Sequence, residues 1–371
     1  MSRYVEIANI GQITLTDLDI ELLRTKPLLR LRKLRQLSFC DSLNLYGQNY
    51  IGSPGANSDR LTHSFQVEYF TWLNLRWNQK NSSEKKLGKS SALLHDVGHP
   101  TFSHALEMDG RISNEKRAEE LILRSEISDI LKNHGVEPMQ VLDIVNEKRK
   151  GYFSDIIAGE VGMDRVAYVT TDNHHISISP DSSPYDASLP LIQKIREVEG
   201  VMSLPISVPF EELGKASFDD IAILDSAYRL LERRTYLFMK PYGSVTNRSA
   251  VTIMRNAVQI AIEEGFDNIK LHELYDVQIL AELREVSPEV AHLIDMIENG
   301  KIPSPIFEMC LQGESAERVQ RLRENRDERL KFEEQVGQGD KVYLDIDPMG
   351  KSPKGDTNVS YYGNMMPLKD A

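Results

Sequence analysis

The chain has 371 residues, 40% of them apolar, and a formal net charge of −12. That is enough for one large domain or two ordinary ones around a sizeable core, and so acidic a chain is not expected to coat nucleic acid nonspecifically. Two cysteines, Cys40 and Cys310, exclude a disulfide scaffold; with a polar N-terminus and no apolar run of membrane length, a soluble, cytoplasmic protein without a membrane partner is expected.

Residues 1–20 alternate apolar and polar, which predicts a short strand or hairpin and a helix start at Thr16 or Asp17. A basic amphipathic helix is expected over 26–38, with Leu28, Leu31, Leu34 and Leu37 on one side. Its Lys26, Arg30, Arg32, Lys33 and Arg35 read either as an exposed face or as an anion contact. The stretch 45–59, rich in Gly, Asn, Ser and Pro, reads as a loop. A helix follows over 60–78, then the polar linker QKNSSEKK, then a buried helix at 87–96 broken by Gly98 and Pro100. Further helices are predicted near 114–124, 126–134, 138–147, 153–174, 187–198, 217–240, 246–264, 269–284, 287–298 and 314–335. Residues 200–213 are expected to be extended, and 340–362 to form a β-hairpin. Weak seams lie near 205–216 and 300–305.

The densest chemistry lies in LLHDVGHPTFSH, residues 93–104. An imidazole and a carboxylate stand side by side at His95 and Asp96, with His99 and His104 close behind. Adding His63, from DRLTHSFQV, and Asp164, from EVGMDRVAYVTTDNHH, gives two imidazoles and two carboxylates. Nitrogen and oxygen donors without thiolate suit one divalent ion, among manganese, iron, magnesium, nickel and zinc, rather than a structural zinc knot. Four protein ligands on a six-coordinate ion leave room for water or a phosphate oxygen, as hydrolysis requires. Arg60 lies one turn before His63 and suits phosphate binding. Tyr168 and Asp172 follow Asp164 at i+4 and i+8, on one helical face; the bland alternative is a solvated stripe. His99 and His104 either cap the Gly-Pro turn or serve in acid–base work. His174 and His175, at a helix end, read as structural or as supporting residues outside the ligand set.

The order His63, His95-Asp96, Asp164 resembles the H…HD…D signature of HD-domain phosphohydrolases, and more finely their deoxynucleoside triphosphate (dNTP) triphosphohydrolase branch. RLRKLRQL at 30–37 is similar to that branch's RLR-x-x-x-QL, and DRLTHSFQV to R-x-x-HS-x-x-V. HDVGHPTFSH resembles HD-x-GH-x-PFSH with Pro100 one place early and Thr101 where the family has Pro. MDRVAYVTTDNHH resembles D-K/R-x-x-Y-x-x-x-D-x-HH. The resemblance implies a mainly α fold, with an HD-domain helical core at 1–205 and a smaller mixed α/β C-terminal part at 206–371 packed on it. It implies that His63, His95, Asp96 and Asp164 bind the metal, Asp164 being counted with His99 and His104 in catalysis. Arg60 and Arg165 would hold phosphates, Gln36, Tyr168 and Asp172 the sugar, and Tyr236 the base or sugar. A homo-oligomer is also implied.

The expected reaction is metal-dependent hydrolysis of a dNTP to deoxynucleoside and triphosphate. One departure keeps the substrate open: Asn114-Glu115 stands where the family carries His-Glu, and Asn cannot shuttle a proton at neutral pH. The rival readings are an HD-type nucleotide phosphatase or phosphodiesterase, and a nucleotide-sensing protein with a degenerate site.

Overall fold

In a computed structural model, residues 3–7, 10–41, 58–106, 113–148, 150–176, 184–207, 215–303, 321–322, 325–337, 358–361 and 364–367 are described. The fold is mainly helical. A hairpin of β1 (Tyr4–Ile7) and β2 (Gly11–Thr14) leads into α1 (Asp17–Leu23) and α2 (Lys26–Leu31). As expected, α1 starts at Thr16, whose side chain caps it in a box with Asp19. The basic helix is shorter than its leucine spacing predicts. It ends at Leu31, and the chain then doubles back beside the start of α3, where the Arg60 amide donates to the Leu34 carbonyl at 3.1 Å and the Gln36 amide to the Ser58 carbonyl at 2.9 Å. Leu34 is still buried, so turn packing preserves the apolar period after the helix has stopped.

The central element is α3 (Arg60–Trp77), capped by Asp59. It is buried on several sides and packs against α4 (Ser82–Leu94) and α9 (Met163–Ile176). α4 begins five residues earlier than the apolar run suggests, because Asn81 and Glu84 form a capping box inside the apparent linker. Three short helices, α5 (Asn114–Arg124), α6 (Glu126–Asn133) and α7 (Pro138–Val145), pack beside α4 and α1. The single helix expected over 153–174 is two, α8 (Tyr152–Ala158) and α9. A Cβ on Gly159 would meet the Asp155 carbonyl at 2.3 Å, and one on Gly162 the Ile157 carbonyl at 2.6 Å, so this tight break requires glycine. It sets Asp164 in the first turn of a new helix.

Beyond α10 (Pro184–Lys194), β3 (Arg196–Val198) and β4 (Val201–Pro205) join β5 (Asn358–Tyr361) and β6 (Asn364–Pro367) in a four-stranded sheet of order β3-β4-β5-β6, with β4 and β5 parallel. β5 and β6 pair antiparallel; only β5 falls within the 340–362 stretch where a hairpin is expected, and residues 338–357 lie outside the described part. The long α11 (Phe218–Leu237) packs on α9 and α10, and its Ile223, Ala227 and Leu230 share one apolar cluster with Val67, Phe70 and Val166. α12 (Val245–Glu263), α14 (Asp276–Arg284) and α15 (Pro288–Glu298) build a further cluster that takes in Phe39 and Phe102. The helix expected over 269–284 is broken, into α13 (Lys270–Glu273) and α14. Among the described residues, no helix is long and apolar enough to cross a membrane.

A buried charge cluster ties the N-terminal segment to this frame. Lys89 of α4 reaches Asp19 at 2.8 Å and Glu68 at 2.9 Å, all three being largely buried. Burial and the Asp19 carboxyl push the Glu68 carboxyl up to about 8, against the opposing pull of Lys89. The folded state thus holds a proton that an unfolded Glu, with a pKa of about 4.3, has lost. This contribution is full below about 4.3 and declines as pH rises to about 8. Glu68→Gln carries no such proton. Between pH 6 and pH 8 the wild type should lose more stability in urea titrations than Glu68→Gln; equal losses would contradict the assignment.

Candidate metal centre and active site

Three elements converge on one point. α3 presents His63, the end of α4 presents His95 and Asp96, and the first turn of α9 presents Asp164. His63 Nε2 lies 3.0 Å from Asp164 Oδ1 and 3.7 Å from Asp96 Oδ2, while His95 Nε2 lies 3.4 Å from Asp96 Oδ1 and 3.8 Å from Asp164 Oδ1. One ligand atom from each of His63, His95 and Asp96 falls within 4.8 Å of the others. His63 and Asp96 are almost fully buried, whereas the Asp164 side chain is one-third exposed, so the cluster opens toward solvent on the α9 side.

The residues fit a divalent cation. His63 Nδ1 and Nε2 and His95 Nε2 are buried without a hydrogen-bond partner among the described residues, a costly arrangement unless a ligand completes it. His95 Nδ1 lies 2.7 Å from the Ala92 carbonyl. A carbonyl can only accept, so Nδ1 carries the proton and the Nε2 lone pair faces the cluster, the tautomer that ligates a metal.

Around the ligands sit groups suited to an anion. Arg60 donates from Nη1 to Asp96 Oδ2 at 2.6 Å, with both side chains buried. Burial alone would raise the Asp96 carboxyl, but the Arg60 guanidinium, aided by His95 and His99, holds it well below the usual carboxylate range. Asp164 behaves similarly: burial opposes ionisation, and His63 with His95 brings it to about 2. Arg60 Nη2 and Gln36 Oε1 are buried with no hydrogen-bond partner among the described residues. His99 Nε2 lies 3.0 Å from Asp96 Oδ1, and the Asn114 amide is 3.5 Å from His99 Nδ1. The loop reaches Asn114 because residue 98 is glycine: a Cβ there would meet the Asn114 carbonyl at 2.2 Å.

Asp164, Tyr168 and Asp172 share one face of α9. Asp172 is buried and pushed up to about 7 by burial, with Tyr242 and Arg60 pulling against the rise. Its Oδ2 accepts from the Tyr242 hydroxyl, and its Oδ1 has no hydrogen-bond partner among the described residues. Burial also raises the Tyr168 hydroxyl.

Sequence reasoning did not find Tyr242 or Arg234. Tyr236 sits on an exposed face of α11, 43% accessible; the tyrosine that meets Asp172 is Tyr242, six residues on, in a π-helical turn spanning Phe238–Tyr242. Pro241 inside that turn was the available signal. Arg165 does not stand free: it donates to the Ala158 and Gly159 carbonyls and reaches Glu160 at 3.4 Å. Glu160 also accepts from the buried Arg234 at 2.6 Å, so two guanidiniums flank one carboxylate, and both act electrostatically on Tyr168. The side chains of His104, His174 and His175 lie outside the described residues.

The site generates a direct expectation. Purified protein should take up one Mn²⁺ per chain, and His63→Ala or Asp164→Ala should weaken that binding by about 100-fold or more. Titration followed by the electron paramagnetic resonance of free Mn²⁺ measures this; unchanged affinity in both variants would contradict the ligand set.

A family model for the HD domain matches residues 60–170. An uncharacterized protein of Methanocaldococcus jannaschii is 27% identical over 277 residues, covering 73% of this chain and 53% of the relative. A deoxynucleoside triphosphate triphosphohydrolase of Mus musculus is 24% identical over 213 residues, covering 45% of this chain and 31% of the mouse protein. The chain thus spans about half or less of the length of these curated relatives. Among solved structures, a phosphohydrolase from Bacteroides thetaiotaomicron superposes with a TM-score of 0.68 at 17% identity, covering 99% of this chain and 94% of the other. A hypothetical protein from Aquifex aeolicus gives 0.69 at 21% identity, covering 100% and 92%. At these identities the two structures show the fold. Residues 60–170 thus match an HD domain, and that segment spans the elements that carry His63, His95, Asp96 and Asp164.

Proposed function

We propose that this protein hydrolyses deoxynucleoside triphosphates to deoxynucleoside and inorganic triphosphate. The observation that carries the reading is the juxtaposition, along α9, of the ligand cluster at Asp164 with the buried Asp172–Tyr242 pair. The first suits a phosphate, the second a sugar. The name of the mouse relative supports the same substrate class.

A divalent ion at His63, His95, Asp96 and Asp164 would supply Lewis-acid polarisation of the α-phosphate and a water nucleophile at neutral pH. Arg60, braced on Asp96, offsets charge at the phosphates with its Nη2. Arg165 and Arg234 stand ready to take the outer phosphates, exchanging part of their hold on Glu160. Water adds to the α-phosphorus, the bond from phosphorus to the 5′ oxygen breaks, and that oxygen takes a proton. His99 and His104 are the proposed proton-transfer groups, His99 being oriented by Asp96. Asp172 Oδ1 accepts the one free sugar hydroxyl, at the 3′ carbon, Gln36 lies against the sugar, and Tyr168 and Tyr242 wall it. A homo-oligomer belongs to this reading.

The second reading, an HD-type nucleotide phosphatase or phosphodiesterase, draws on Asn114. An amide, which cannot relay a proton, stands beside His99. A sensing role rests on the same residue, but the complete ligand set favours catalysis.

Incubation with each dNTP and Mn²⁺, Mg²⁺ or Fe²⁺, with products separated by anion exchange, tests the proposal. Deoxynucleoside plus intact triphosphate, absent in Asp164→Ala, is the expected outcome. Release of phosphate or pyrophosphate, or no turnover at all, would contradict it. Tyr242→Phe removes a hydroxyl bound to Asp172, and should change the ratio of kcat/KM for dNTP over NTP by about tenfold, the scale of one buried hydrogen bond. An unchanged ratio would remove Tyr242 from sugar selection.

A further inference from the structure

The segment that follows the HD dipeptide is held from outside the HD domain. Phe102 and Ser103 both adopt left-handed backbone, with φ of 56° and 51°, a conformation that costs non-glycine residues on the order of 1 kcal/mol or more each and persists where surroundings over-determine it. Both are completely buried. The Phe102 amide donates to Asp276 Oδ1 at 2.9 Å, and the other oxygen of the same carboxylate accepts the Arg35 amide at 2.8 Å. Ser103 Oγ closes the ring by donating to the Arg35 carbonyl at 2.6 Å. That same Oγ accepts from Arg60 Nε at 2.9 Å, and Arg60 Nη1 holds Asp96 at 2.6 Å. Neighbouring bonds reinforce the clasp. The Thr101 amide donates to the Leu271 carbonyl at 2.9 Å, and Arg30 Nη1 to the His99 carbonyl at 2.7 Å.

We propose that Asp276 is a positioning residue for the metal centre. From the first position of α14, more than 100 residues beyond the HD segment, it fixes the strained Phe102–Ser103 turn that aims Arg60 at the ligand Asp96. Asp276 needs both carboxylate oxygens, one for each backbone amide, and an Asn offers one. The role rests on the reading of His63, His95, Asp96 and Asp164 as a metal site, and is independent of which nucleotide is turned over.

The test is Mn²⁺ affinity of the full chain, read from the paramagnetic resonance of free Mn²⁺, with circular dichroism and thermal melting alongside. Asp276→Asn should remain folded and bind Mn²⁺ about tenfold more weakly, within the range seen when supporting residues of a metal site are changed. Ser103→Ala, which cuts the link between turn and Arg60, should weaken binding to a similar degree. The double variant should be no weaker than the worse single one, because both act through one path. Unchanged affinity in folded Asp276→Asn, or additive losses in the double variant, would overturn the proposal. If Asp276→Asn does not fold, Ser103→Ala decides: a tenfold loss supports the path and an unchanged affinity overturns it. Asp164→Ala separates the two levels. Should it bind Mn²⁺ as tightly as the wild type, the metal reading falls and the proposal with it; should it alone lose Mn²⁺, the role of Asp276 falls by itself.

Discussion

A carboxylate shut away from water stays ionised when a guanidinium is held against it, and Asp96, on Arg60, is such a carboxylate. Its neighbours are Arg60, His63, His95 and His99, drawn from α3 and from the loop that ends α4. Asp164 supplies a second carboxylate, so an added divalent ion enters a site where negative charge is already fixed and, among the described residues, buried imidazole nitrogens have no hydrogen-bond partner. Much of the surrounding structure exists to keep these groups in register. α3 is packed on several sides, α4 is capped early by Asn81, and α9 restarts after a glycine break at the place where Asp164 must point inward.

That constraint explains why regions beyond the HD segment matter. The C-terminal helices do more than cover apolar surface. Phe102 stacks on Phe39 with ring centroids 5.2 Å apart, and both belong to the cluster built by α12, α14 and α15. Arg30 belongs to a basic stretch that reads as an exposed face or an anion contact, yet its guanidinium donates to the carbonyls of His99, Leu271 and Leu274. α11 and the turn after it bring Arg234 and Tyr242 to the α9 face. A site read as a short motif is thus completed by residues distant in sequence, as Tyr242 is, 70 positions beyond Asp172.

How far the sequence revealed this follows from what each signal depends on. The convergence of His63, His95, Asp96 and Asp164 was legible because metal chemistry restricts residue type and His95 and Asp96 stand side by side in a dense local pattern. The helix start at Thr16 was legible because capping is local. The end of α2 was hidden because Leu34 continues the apolar period through a turn. The α8–α9 break was hidden for a like reason, since Val161 and Met163 keep the run apolar while Gly159 and Gly162 turn the backbone. Tyr242 was hidden because helix periodicity does not anticipate the π-helical turn that carries it to Asp172. Asp276 had no signature: an aspartate at a helix start reads as a cap, and its two amide partners lie 174 and 241 residues away.

The measurement that bears most directly on the account is anomalous diffraction from crystals of the Mn²⁺-loaded protein. The account predicts one anomalous peak per chain, bounded by His63 Nε2, His95 Nε2, Asp96 and Asp164, with Arg60 still on Asp96. A peak elsewhere, or one that leaves either imidazole uncoordinated, would contradict it.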